Sequence, residues 1–315
     1  MLNVMRTGCG SPPNWSLHYL KKIDGVRVIA GDANPISVSF FSVADEYVVI
    51  PYADDPHFAE KMLEICQNKK VDILIPAVDE ELVKLAKVKD LFISQGVFLL
   101  LSEPETLEKC FDKWEFYLEM KSLGVPVPAT FQNKEDLTND FPLILKPRRG
   151  RGSSGIFILD DVNDLDYAIK KSKNYILQEY IEGTEYTVDT LSDLQGRFIY
   201  GSPRIRLKTD SGISVTGKTK HDPIAIQWIE KILNQLKIIG PANVQYIKSR
   251  GKIYFLEINP RLAGGGALAQ GAGIPYMQDI INLVRGDNIP VRQAKEGVVM
   301  LRYWSEVFID EPDLK

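Results

Sequence analysis

The chain has 315 residues, 44% of them hydrophobic and 25% charged, enough apolar material for two or three compact units with buried cores. Its formal net charge of -4 argues against a general binder of nucleic acid or of anionic membrane, since both need a basic excess. No apolar run reaches about 18 residues and the N-terminus lacks a basic segment followed by a long apolar core, so neither a spanning helix nor a secretory leader is expected.

Cytoplasmic residence is the corresponding expectation. Cys9, Cys66 and Cys110 are too few and too scattered for a disulfide framework or a zinc knuckle, and they are expected to be reduced.

The first third alternates apolar strands, over residues 2–5, 26–30, 47–50, 71–76 and 97–101, with helical patterns over 14–22, 56–68 and 80–87. This alternation predicts a doubly wound parallel sheet. Ligands of such sheets sit beyond the carboxyl ends of the strands, which places 7–11, 32–34 and 76–80 on the rim facing the rest of the chain. The run Thr7-Gly8-Cys9-Gly10-Ser11 does not complete a Gly-x-Gly-x-x-Gly signature, and Pro12 and Pro13 follow it, so it reads as a turn against a substrate rather than a dinucleotide site. Cys9 would need a base to act as a nucleophile, and no motif links it to His18, His57 or His221. The histidines read as surface or internally satisfied residues.

A unit boundary is expected near 102–104. From 103 to 123, Leu107, Cys110, Phe111, Trp114, Tyr117 and Leu118 recur at three- and four-residue spacing, predicting one helix whose stripe packs in a core. Gly124-Val125-Pro126-Val127-Pro128 ends it and opens a small α+β unit. There Phe141-Pro142-Leu143-Ile144-Leu145-Lys146-Pro147 is an apolar strand that delivers a lysine at its end, followed by a basic loop with Gly150, Gly152, Ser153, Ser154 and Gly155. Glycines let backbone N–H groups wrap an anion, serines add donors, and the lysine neutralises charge. Gly-Lys-Ser/Thr opening a helix is absent; the loop runs into the apolar strand 156–159, so it reads as a hairpin arching over a nucleotide, with a plain basic turn as the alternative.

Residues 175–189 form a strand that breaks at Gly183 and a second, alternating strand. Backbone groups at such a break can read an adenine edge, and Glu185 can accept from ribose hydroxyls, although each glutamate taken singly reads as a surface charge. The stretch 203–218 carries Arg204, Arg206, Lys208 and Lys218, suited to an anionic substrate or to a solvated loop. His221-Asp222-Pro223 caps a helix to about residue 236.

In Phe255-Leu256-Glu257-Ile258-Asn259-Pro260-Arg261, Glu257 and Asn259 stand two residues apart in a strand and so leave one face of the sheet. A carboxylate and an amide offer hard oxygen ligands to Mg²⁺, and Arg261 can meet phosphate with its fork of donors; a buried strand ending in a capped turn is the alternative. Gly264, Gly265, Gly266, Gly271 and Gly273 follow, backbone able to approach a bound carboxylate.

The order of lysine strand, glycine-rich loop, hinge glutamate and Glu-x-Asn-Pro-Arg resembles the ATP-grasp superfamily, most of all its carbamoyl-phosphate-synthetase-large-chain-like carboxylate–amine ligases. The resemblance runs from Met1 to about Gly286. It implies an ATP-grasp fold of α/β and α+β class, preceded by a Rossmann-like parallel-sheet domain at 1–103, with a small subdomain carrying the phosphate loop at 104–182 and a C-terminal subdomain carrying the metal site at 183–315. It further implies Lys113, after Asp112, and Lys146 as phosphate-binding lysines, with Arg149, Gly152, Ser153, Ser154 and Gly155 in the phosphate loop. Glu179, Tyr180 and Ile181 would form the adenine-reading hinge and Glu185 the ribose acceptor. Gln245, Glu257 and Asn259 would be metal ligands, and Arg261 would assist transfer with Lys146. Many members have a carboxylate where Gln245 stands; the synthetase branch shares the glutamine, which leaves Glu257 and the nucleotide phosphates to hold most of the metal's charge.

The implied cofactors are ATP and Mg²⁺, with Mn²⁺ as the alternative cation. The implied partners are a small carboxylate and an amine, without nucleic acid or membrane, and a homodimer is compatible with the pattern. The implied chemistry forms an acyl phosphate and ADP, then an amide, and needs positioning and charge neutralisation more than a nucleophilic side chain. No residue is assigned as base for the amine. Three other readings share the pattern: a carbamoyl-phosphate-forming enzyme, whose large chain has two such halves; a biotin-dependent carboxylase, normally longer; and a non-catalytic nucleotide-binding regulator, expected to lack Lys146, Glu257 or Asn259.

Overall fold

The structure, a computed structural model, describes residues 1–10, 14–37, 43–138, 140–150, 152, 154–210, 212–303, 306–308 and 310. The chain opens with β1 (Leu2–Arg6), β2 (Val26–Asp32), β3 (Glu46–Val49), β4 (Ile73–Ile75) and β5 (Phe98–Leu99), a parallel sheet in the order β3-β2-β1-β4-β5. Helices α1 (Trp15–Leu20), α2 (Phe58–Asn68), α3 (Asp79–Ala86) and α4 (Lys89–Ser94) connect the strands. The strands are apolar on both faces because both are covered. Met5, Ile29 and Leu74 pack with Phe58, Met62, Leu82 and Phe92, and Val4, Val28 and Ile73 pack with Leu17 and Leu20. Helix α4 was not foreseen: its one buried residue is Phe92, too little for a periodic signal. Of the expected strand 97–101, only Phe98 and Leu99 pair.

The long helix expected over 103–123 is two helices, α5 (Pro104–Phe111) and α6 (Lys113–Ser122). Asp112 separates them with extended backbone at φ -93°, ψ 109°, and its carboxylate accepts from the Trp114 and Glu115 N–H groups at 3.0 and 3.3 Å. That N-cap restarts the helix, while the apolar spacing runs on through the break and hides it.

Strands β6 (Thr130–Phe131), β7 (Leu143–Pro147), β8 (Phe157–Leu159) and β9 (Tyr175–Glu179), with α7 (Val162–Lys171), form a second, antiparallel sheet in the order β6-β9-β7-β8. Strands β7 and β8 pair with Leu143 opposite Leu159, so the basic loop does connect a hairpin.

The third sheet is antiparallel, β14-β13-β10-β11-β12-β15, built from β10 (Thr184–Ser192), β11 (Phe198–Asp210), β12 (Ile213–Thr219), β13 (Gly240–Ser249), β14 (Lys252–Asn259) and β15 (Val299–Leu301), with helices α8 (Pro223–Leu236), α9 (Ala267–Gly271) and α10 (Tyr276–Val284). Val188, Val244 and Phe255 pack on Ile229, Ile232 and Leu233 of α8 and on Phe116 and Met120 of α6, each such side chain contributing about 1.5–3 kcal/mol. Helices α5 and α6 thus join the core of the large sheet. Helix α10 reaches back to the first sheet, where Tyr276, Met277, Ile280 and Ile281 share a core with Val4, Val28 and Ile73. Tyr276 stacks on Trp15 at 6.2 Å and 7°, and Trp15 donates Nε1–H to the Ala263 carbonyl at 3.0 Å. Among the described residues no helix is long and apolar enough to cross a membrane.

Candidate active site

All three sheets wall one cavity of about 1480 Å³. Lys146, near the end of β7, projects into it from a site only 8% exposed. Its ammonium donates to Gln178 Oε1 at 2.8 Å, and Gln178 is fixed by donating to Thr130 Oγ1 at 2.8 Å. Burial pushes Lys146 down to about 8, the Glu257 carboxylate opposes that shift, and the Lys113 charge adds to it. Lys113 opens α6, donates Nζ–H to the Gly150 carbonyl at 3.1 Å, and lines the same cavity.

The loop after β7 is fastened to the start of α6, where Lys113 N–H donates to the Arg148 carbonyl at 3.0 Å. Arg148 grips Asp112 with two bonds, at 3.0 and 2.7 Å, the forked geometry that fixes direction as well as charge. The loop turns through Gly150, Gly152 and Gly155, with φ of 153°, 67° and 72°, and the latter two are values that side-chain-bearing residues rarely adopt. Gly152 and Ser154 line the cavity. Ser153 lies outside the described residues. Gly152 also lies against the β11–β12 turn: a Cβ built on Gly212 would stand 2.9 Å from the Gly152 Cα. The approach leaves no room for a side chain on Gly212.

On the large sheet, Glu257 of β14 pairs across from Gln245 of β13, and Asn259 from Asn243. Strict alternation would put Glu257 and Asn259 on the core face with Ile253 and Phe255. The register slips by one between Gln245 and Tyr246, leaving Leu256 unpaired, a bulge that turns the last residues of the strand over. Glu257 and Asn259 therefore face the cavity while Ile258 is buried.

The amide of Asn259 donates to Glu257 Oε1 at 3.0 Å and to Asn243 Oδ1 at 3.3 Å, which leaves its own oxygen for a cation. Gln245 Oε1 accepts from Arg206 Nη1 at 2.9 Å, and Arg206 also pairs with Glu185 and donates to the Gly212 carbonyl at 2.8 Å. Two hard oxygens beside Lys113 and Lys146 on one cavity wall suit Mg²⁺, which completes its shell with water and phosphate. Among the described residues no three acidic, histidine or cysteine side chains gather to hold a metal alone.

Arg261 follows this face, and its Nη2 donates to Asp79 Oδ2 at 2.9 Å while Nε donates to the other oxygen. The pair ties the large sheet to the first turn of α3. The basic stretch of β11 and β12 is not a free anion trap: Arg204 is buried against Asp189 and Ser214, each at 2.8 Å, and Lys208 and Lys218 are exposed.

One cavity thus gathers Lys113, Lys146, Gly152, Ser154, Glu185, Gln245, Glu257, Asn259 and Arg261. Arg149, Gly155, Glu179, Tyr180 and Ile181 are not on its wall. Arg149 pairs with Glu108 at 2.7 Å. Glu179 exchanges two bonds with Ala129, its N–H donating to the carbonyl at 2.8 Å and its carboxylate accepting at 3.2 Å, and Tyr180 N–H donates to Pro142 at 3.4 Å.

Residues 110–265 match the family model for the ATP-grasp domain, and residues 4–100 match that for the PylC-like, N-terminal domain. The chain carries an ATP-grasp domain. The carbamoyl phosphate synthase large chain of Clostridium beijerinckii is 28% identical over 273 residues, 78% of this chain and 25% of the relative, so this ATP-grasp chain spans a quarter of that protein's length. The carbamoyl-phosphate synthase of Methanobrevibacter smithii is 23% identical over 296 residues, covering 86% of this chain and 77% of the relative.

Among solved structures, the biotin carboxylase domain dimer of Hydrogenobacter thermophilus 2-oxoglutarate carboxylase, captured with MgADP, ADP and bicarbonate, superposes with a TM-score of 0.77 at 17% identity over 94% of this chain and 73% of that one. An L-amino acid ligase from Bacillus licheniformis gives 0.70 at 19%, over 90% and 74%. These likenesses show a shared fold.

Sequence reasoning missed the opposite wall of the ATP-grasp cavity, where Arg6, Glu81 and Lys84 stand with Asp32 and Glu80. The rim rule pointed there, but the windows 7–11 and 76–80 stop one residue short of Arg6 and of Glu81. Among the described residues no cysteine or histidine is on the wall; Cys66 and Cys110 are buried, which pushes both thiols up to about 12.

Proposed function

We propose that the chain is an ADP-forming carboxylate–amine ligase. The observation that carries this reading is the convergence of Lys113 and Lys146 with the Glu257–Asn259–Arg261 face in a cavity whose described wall has neither cysteine nor histidine. Such a site offers charge neutralisation and positioning without a covalent nucleophile.

Lys146, oriented by Gln178, and Lys113 offset the nucleotide phosphates. Arg261, oriented by Asp79, and the N–H groups of the 150–155 loop offset charge on the transferring phosphoryl group. A carboxylate oxygen bonds to the γ-phosphorus as the bond to ADP breaks, giving an acyl phosphate. An amine nitrogen then bonds to the acyl carbon as phosphate leaves with the electron pair, and the amine proton passes to water. Glu257 and Asn259, with Gln245 once it releases Arg206, would hold Mg²⁺, which supplies further neutralisation of the phosphates when bound. Glu185 receives the ribose, the segment 179–181 faces the adenine, and Arg149 and residues 152–155, Ser153 among them, steady the phosphates. The enzyme acts in the cytoplasm as a homodimer, with units at 1–103, 104–182 and 183–315; fractionation, sedimentation and limited proteolysis test these assignments.

ADP and phosphate release across panels of carboxylates and amines tests the chemistry, with hydroxylamine trapping the activated acyl group as a hydroxamate. Release of AMP and pyrophosphate overturns it. The names of the curated relatives favour a second reading, in which the pair is bicarbonate and ammonia, and both belong in the panels.

A further inference from the structure

In the first sheet, β1 and β4 lie side by side at the switch of winding direction, the position where open parallel sheets take their ligands, and this point opens on the same cavity. Arg6 ends β1 there and is 9% exposed. Among the described residues, only Nη1 of its three nitrogens is engaged, by the Gly8 carbonyl at 3.1 Å and the Cys9 sulfur at 3.6 Å. Nε is buried with no acceptor, and no carboxylate pairs with the guanidinium among the described residues. A guanidinium cannot shed its proton to escape this situation, and a buried charge without a counter-charge is costly.

Two carboxylates stand on the same wall. Glu81, 3% exposed in the first turn of α3, accepts from Thr7 Oγ1. Asp32, 9% exposed at the end of β2, accepts from the N–H groups of Gly10 and of Asn34, the latter at 2.9 Å. Burial pushes the Glu81 carboxyl up to about 7, against the pull of Thr7 and then of Arg6. Ammonia or a simple amine would leave Arg6 unanswered. A molecule bearing a carboxylate beside its amine answers both signs of charge.

We propose, resting on the ligase reading, that this wall seats the amine substrate and that the substrate is an amino acid: the open edge of Arg6 takes its carboxylate, and Glu81 and Asp32 face its amino group. Asp79 grips Arg261 two residues before Glu81, so this seat adjoins the transferring end of the site.

The test compares ADP release by the full chain with L- and D-alanine, serine and phenylalanine against their decarboxylated counterparts ethylamine, ethanolamine and phenethylamine, each with the carboxylate panel. Amino acids are expected to act with a KM about 30-fold or more below that of the matching amine, the range of a charge-assisted pair. Arg6→Met should erase that preference while leaving KM for ATP unchanged, and Arg6→Lys should restore part of it. Because Arg6 forms no direct ion pair among the described residues and leaves Nε without an acceptor, Arg6→Met should hold or raise the thermal midpoint, the opposite of what losing a structural arginine does. Equal use of amine and amino acid by the wild type, or discrimination retained in Arg6→Met, overturns the assignment.

If no pair releases ADP, the ligase reading fails separately. Calorimetry with the same amino acids and amines on the ADP-bound chain then decides the seat: binding of an amino acid but not its amine, lost in Arg6→Met, supports it, and no such difference overturns it.

Discussion

Glu257 and Asn259 show how far a residue pattern carries. Their spacing of two was legible and predicts a shared face, but which face depends on the unpaired Leu256, and nothing in the run Phe255-Leu256-Glu257 announces a bulge. Arg6 was illegible for a related reason: a lone arginine in a strand is read as an edge charge until its partners are found missing. Glu257→Gln and Asn259→Ala are each expected to lower Mg-ATP turnover by about 10²-fold or more with the circular dichroism spectrum unchanged; normal ADP release in both would remove them from the metal site.

Lys146 makes a pH prediction. Held near 8, its charge is present below that pH and fades above it, so affinity for ADP measured without metal should weaken as pH rises through about 8, and Lys146→Met should flatten the profile. Folding responds with the opposite sign: between about 8 and 10.5 the unfolded chain holds a proton that the fold has released, so stability from this group rises with pH.

At the scale of elements, alternation of strands and helices was legible wherever each buried several residues. The exception lies at Asp112, where one apolar stripe continues across two helices. That aspartate caps α6 and also receives Arg148, so it joins a helix start to the base of the phosphate loop. Asp112→Ala should cost about 1–2 kcal/mol in urea denaturation from the lost cap alone, and hydrogen exchange in residues 148–155 should quicken. Unchanged exchange there would mean that the loop is held by its own turn geometry.

For the whole molecule, a parallel sheet followed by an ATP-grasp fold was legible, but not how the sheets close on one another. Helix α10 shares a core with Val4, Val28 and Ile73 of the first sheet across a gap of more than 200 residues, and no local signal encodes so distant a contact. Tyr276 carries much of it, stacking on Trp15 and donating to the Thr190 carbonyl at 2.6 Å. Tyr276→Ala is expected to cost about 3–5 kcal/mol, and because the core is shared, circular dichroism and tryptophan fluorescence should still report one transition. Two separated transitions would show that the first sheet unfolds alone.

The meeting of Gly152 with Gly212 works as the closing edge of a door, with no thickness to spare. A single methyl there is a doorstop. Gly212→Ala, already strained at φ 75°, should hold the 150–155 loop ajar, so that ADP leaves faster in stopped-flow displacement and, on the proposed ligase reading, bulk water reaches the acyl phosphate and turns ligation into idle ATP hydrolysis.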